Sequence, residues 1–198
     1  MSDYIQDGAG TGNRAKVDVD NRLHVESVSK TPVQQGAIKG GTYNINTGTV
    51  NLTSSNESGM LYLKNTSENK NITISLVGYL LGSSTGGSGD FLATIVRNPT
   101  GGTLLSGLLP PASNINKNFG SNKVLSAVAY KGVEGSTVAG GVDGYFSLLP
   151  GAARSYVINT GDIVLEPKTS LAIKVKPQSG NTSMDLQVFV SILEKVQD

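Results

Sequence analysis

From residue 49 onward, apolar residues occupy alternate positions in one run after another, and a period of two is that of a strand with unlike faces. The runs are TVNLT at 49, GMLYLKN at 59, NITISLVGYLLG at 71, DFLATIVRN at 90 and KVLSAVAYKG at 123. SYVIN and DIVLEP follow on either side of a turn at Thr160 and Gly161, and SLAIKVKP and MDLQVFVSILEK come last, joined by residues 178–183. Leu171, Ile173 and Val175 line one side of a strand; Leu186, Val188, Val190 and Ile192 line one side of the next. No window carries a helical period of comparable strength.

Between the runs stand clusters with turn chemistry: GSSTGGSGD at 82–90, NPTGG at 98–102 and VEGSTVAGGVDG at 133–144. About ten short strands separated by such turns predict an all-β fold, an antiparallel β-sandwich of jelly-roll type. The stretch GLLPPASNINKNFGSN at 107–122 reads as a long irregular crossing between sheets, because its double proline forbids a ladder strand. Pro32 and the pair Gly40 and Gly41 read as breakers. The expected organisation is an extended N-terminal arm and β-hairpin over residues 1–30 and a β-sandwich domain over 31–198.

The N-terminal stretch DGAGTGNRAKVDVDNRLHV, residues 7–25, has its own pattern. Gly8, Gly10 and Gly12 alternate, but no buried strand precedes them and no helix start follows, so the context of a phosphate-binding loop is missing. From Arg14 onward the residues alternate as in a hairpin. A loop of Asp20, Asn21 and Arg22 pairs Val19 with Leu23 and Val17 with Val25, which gathers four apolar side chains on one face and turns Asp18 and His24 outward. That face needs a cover, from the chain's own body or from another subunit.

Composition narrows the chemistry. The 198 residues suit one domain with a short appendage. Sixteen Lys and Arg against fifteen Asp and Glu leave a formal charge of +1, which predicts no general attraction to nucleic acid or to an anionic membrane. There is no cysteine, hence no disulfide, thiolate nucleophile or cysteine metal site. No apolar run approaches a membrane span, and the N-terminus lacks the pattern of a signal peptide, so the expectation is a soluble chain that is not exported.

A catalytic set is hard to assemble. His24 is the one histidine and sits on the outward face of the predicted hairpin. Asp18, Asp20 and Asn21 resemble the start of a calcium loop but lack its later glycine and glutamate. Asp90, Glu134, Asp143, Asp162 and Glu166 lie near strand ends, where a carboxylate pair for glycoside hydrolysis is conceivable. Carbohydrate sites present aromatic platforms, however, and the chain has no Trp and 6% aromatics. The expectation is no enzyme, no cofactor and no metal.

Asp7 and Gly8, leading through Gly12, Arg14, Ala15, Lys16, Val17, Asn21, Arg22 and Leu23, resemble the opening of a group of tailed-bacteriophage virion proteins that begin with a similar DGTG…AKV…NRL stretch. NESGMLYLKN at 56, GGSGD at 86, RNPTGGT at 97, NFGS at 118, YKGVEG at 130 and GNTSM at 180 extend the similarity along nearly the whole chain. The resemblance implies a virion structural protein, assembled in the bacterial host cytoplasm. Its expected role is a capsid decoration or cement protein, a homotrimer that binds the major capsid protein or another virion protein and stabilises the shell. The alternative is a tail, baseplate or head-fibre component that binds a receptor or carbohydrate. The residues expected to dock are Asp7, Gly8, Gly10, Gly12, Arg14, Val17, Val19, Leu23 and Val25, with the glycines letting the backbone lie close to its partner.

Overall fold

The computed structural model describes residues 4–6, 14–16, 30–53, 56–105, 113–151, 154–178 and 180–196. The chain divides into two compact units, Met1–Thr31 and Pro32–Asp198. In the first, strand β1 (Tyr4–Gln6) pairs antiparallel with β2 (Arg14–Lys16), Ile5 facing Ala15. The predicted hairpin loop and its pairing of Val17 and Val19 with Val25 and Leu23 lie outside the described residues.

The second unit opens with helix α1 (Pro32–Ile38) and continues through ten strands: β3 (Thr42–Leu52), β4 (Ser58–Asn65), β5 (Lys70–Gly86), β6 (Phe91–Arg97), β7 (Ser113–Asn116), β8 (Ala127–Lys131), β9 (Val142–Leu149), β10 (Ser155–Leu165), β11 (Ser170–Pro177) and β12 (Asn181–Val196). They form two five-stranded antiparallel sheets, in the orders β10-β5-β12-β3-β7 and β8-β4-β11-β6-β9. The pairs β3 with β12, β4 with β11, β5 with β10 and β6 with β9 are nested in the sequence. Such nesting is a long antiparallel ribbon wrapped around a core, the jelly roll. β7 and β8, inserted between β6 and β9, extend one edge of each sheet.

The core lies between the sheets and follows the alternation of the sequence. Leu171, Ile173 and Val175 from β11 meet Leu186, Val188, Val190 and Ile192 from β12, with Tyr43, Ile74, Tyr79 and Phe91. Leucine-sized side chains buried in this way contribute about 2 kcal/mol each. Bulges keep the alternation in phase. Buried positions on β3 shift from Tyr43 and Ile45 to Val50 and Leu52 because the register against β12 slips by one residue between Asn46 and Thr49. Thr47 fills the gap, its hydroxyl accepting the Val188 N–H at 3.0 Å.

Several expectations are corrected. Residues 155–165 form one strand rather than two around Thr160 and Gly161, since those residues fall within a bulge between Asn159 and Ile163. β5 runs through Ser83 and Ser84 into the expected turn cluster as far as Gly86. β8 begins at Ala127 rather than Lys123. β7 lies inside the expected irregular crossing and pairs with β3; the double proline before it is outside the described residues. β9 occupies the end of a predicted turn cluster and the residues after it.

Helix α1 was also not expected. Pro32 opens it, where its missing N–H costs nothing. Gly40 closes it at φ 69°, with Gly40 N–H donating to Ala37 C=O and Gly41 N–H to Gly36 C=O, so that the two glycines read as breakers are a C-terminal cap. Gly36 lies so close to Leu193 that a β-carbon there would come within 2.2 Å of its Cδ1. Seven residues interrupted by glycine carry too little periodicity to register as a helix.

Candidate interaction surface

β9 and β10 are outer strands of their sheets, each with a single strand neighbour among the described residues, and residues of both line one cleft on the same side of the sandwich. A cleft of about 440 Å³ lies between them, lined by Ile95, Tyr145, Ile163, Val164 and Leu171 among others. β9 is unusual in being apolar on both faces. Its register sets Tyr145 opposite Ile95, toward the other sheet, and Phe146 and Leu148 opposite Thr94 and Leu92, on the outer face. Both sets stay open to solvent: Val142 is 62% exposed, Tyr145 54%, Phe146 61% and Leu148 64%. Val157 and Val164 of β10 are about half exposed too, but off the outer face of the other sheet, since Tyr156, Ile158 and Ile163 turn to the core.

At about 150–200 Å² per large side chain, the four exposed residues of β9 leave on the order of 400 Å² open along one edge, as large as a typical monomer's largest patch. An edge strand also carries unpaired backbone N–H and C=O groups. Charges, prolines or covering loops ordinarily blunt such an edge. β9 has one charge, Asp143, and that carboxylate is engaged with Lys174 at 3.2 Å.

Lys174 bounds the patch on the outer face. Its ammonium lies 3.2 Å from Glu57 as well as from Asp143, and its side chain is only 12% exposed. Burial alone would lower its pKa, but the hydrogen bonds and charges of Glu57 and Asp143 outweigh that effect and raise it. The cation is therefore held in place, with its stem over the sheet.

Of the other acids considered for catalysis, the Asp162 side chain lies outside those described, and the remaining three have structural roles. Asp90 accepts the Gly151 N–H at 2.7 Å, which, with Ser88, holds its carboxyl below the usual carboxylate range. Glu134 accepts the N–H and hydroxyl of Thr53 at 2.6 and 2.8 Å. Glu166 is exposed and uses its backbone carbonyl to close the turn to Thr169. Among the described residues, no group of three or more His, Asp or Glu side chains is close enough to hold a metal ion.

Of the residues expected to dock, Arg14 lies on β2, opposite Gln6. Asp7, Gly8, Gly10, Gly12, Val17, Val19, Leu23 and Val25 lie outside the described residues, as does His24. The structure instead brings forward Val142, Tyr145, Phe146 and Leu148. Their signal in the sequence is the adjacent pairs Tyr-Phe and Leu-Leu in VDGYFSLL, which place apolar side chains on both faces of a strand. No protein-family model and no curated protein matches this chain.

Proposed function

We propose that this protein is a non-enzymatic structural component of a tailed-bacteriophage virion, a capsid decoration protein that assembles with copies of itself along the β9 side. The observation that carries the reading is the open β9 edge, where four large apolar side chains on both faces of one strand form a surface suited to lasting contact rather than turnover. The exposed side chains of β9 alone supply about half of the roughly 800 Å² that each partner contributes to a standard interface. The virion setting and the number three rest on the resemblance of the N-terminal stretch and the loop motifs. In this reading the N-terminal residues 7–25 reach the head surface, and several copies acting together raise avidity beyond one weak contact.

Quantitative mass spectrometry on separated heads and tails tests the setting. Hundreds of copies on heads and none on tails is the expected result; absence from both overturns it. One observation favours a tail, baseplate or head-fibre component that binds a glycan. Tyr62 and Tyr130 stack on the outer face of their sheet, with ring centroids 6.2 Å apart and planes 14° from parallel, a flat aromatic pair against which a sugar ring can lie. Confinement to tails together with glycan-array binding lost in Tyr130→Ala would favour that reading.

A further inference from the structure

A groove of about 670 Å³ opens beneath helix α1, between the helix, the segment around Lys123 and the ends of β5 and β12. Four lysines line it: Lys39, Lys70, Lys123 and Lys195. Its one acid is already satisfied. Glu194 accepts the Ser126 N–H at 2.9 Å through one carboxylate oxygen and pairs with Lys70 at 3.4 Å through the other. Lys123 donates to the Lys39 carbonyl at 2.9 Å rather than to a carboxylate, while Lys39 and Lys195 are exposed with no ion-pair partner among the described residues. Three lysines with no carboxylate partner among the described residues thus line one concave surface of a chain whose overall charge is nearly zero.

The walls add a second chemistry. Val124 is 79% exposed at the rim, and the same loop displays Phe119 at 90%. Asn118 ties that loop to the end of α1 by donating to the Ile38 carbonyl at 2.9 Å. Apolar anchors beside unpaired cations suit an extended acidic peptide with apolar residues among its carboxylates. A bare phosphate backbone would leave the anchors unused, and a neutral peptide would leave the cations unmatched.

We infer that the groove beneath α1 binds an acidic segment of a partner protein, with Lys39, Lys123 and Lys195 pairing its carboxylates and Val124 taking an apolar side chain. This goes beyond the virion assignment and does not depend on it.

The test is fluorescence anisotropy with the full chain and three labelled probes: a peptide alternating Glu with Leu and Ala, the same peptide with Gln at every Glu, and an oligothymidylate of equal charge. The Glu peptide is expected to bind, to weaken as salt rises, and to bind about tenfold more tightly than the Gln peptide. Lys39→Glu with Lys195→Glu should abolish binding while leaving the melting temperature unchanged. Val124→Ser should weaken binding without altering its salt dependence, and it remains a readout if the double reversal fails to fold. The inference is overturned by no binding of the Glu peptide at low salt, by binding that survives the reversal in a folded protein, or by an oligothymidylate that binds at least as tightly.

Discussion

Gly78 sits on the outer face of β5 beneath the ring of Phe189, and a β-carbon there would meet that ring at 2.0 Å. Gly78→Val should turn that half-exposed ring away from the sheet at a cost of about 1 kcal/mol, read as a melting temperature lowered by a few degrees. Asn65 is fully buried, donating to the carbonyls of Lys70 and Leu165 at 2.7 and 3.0 Å and accepting the Ser67 N–H at 3.0 Å. Asn65→Ala strands those groups, and urea unfolding should register a loss of about 2–3 kcal/mol. For Asp90, the depressed pKa means that the folded form binds its proton less readily than the unfolded form. Its contribution is therefore complete above the ordinary carboxyl pKa of 3.8 and is lost as pH falls through the lower folded value. In urea titrations at pH 7 and at pH 2.5–3, Asp90→Asn should narrow the gap seen for the wild type; an unchanged gap would remove Asp90 from the acid response.

At the scale of elements, Phe146→Lys and Leu148→Lys on β9 should leave the melting temperature within about a degree when measured at a dilution where the wild type is also monomeric, because both side chains are largely exposed in the single chain. A large drop in thermal stability would mean that β9 contributes to the fold rather than to a contact surface. Legibility varied from element to element for physical reasons. β11 and β12 could be read directly, because Leu171, Ile173 and Val175 and the four residues from Leu186 to Ile192 alternate without interruption against a single core. β10 could not, since the bulge at Thr160 and Gly161 mimics a turn. β9 was hidden because its two faces are alike, so that no alternation marks it, and because Gly140 and Gly141 precede it. The cationic groove was invisible for a different reason: Lys39, Lys70, Lys123 and Lys195 come from four separate segments that only the folded chain brings together.

At the scale of the whole molecule, the jelly roll closes its core between two sheets and leaves apolar and incomplete the side where β9 and β10, among the described residues, have no further strand neighbour. The fold class was legible because strand period and turn chemistry agreed along most of the chain. The incomplete side was not, because pairing order depends on contacts between distant residues. Sedimentation velocity on the purified chain, wild type beside the Phe146→Lys and Leu148→Lys double variant, tests most directly whether that side is where copies meet. Self-association along β9 predicts a wild type that sediments as an oligomer, three chains if the resemblance holds, and a folded variant at the mass of one chain. A wild type that stays monomeric across micromolar concentrations, or a variant that associates as well as the wild type, would contradict it.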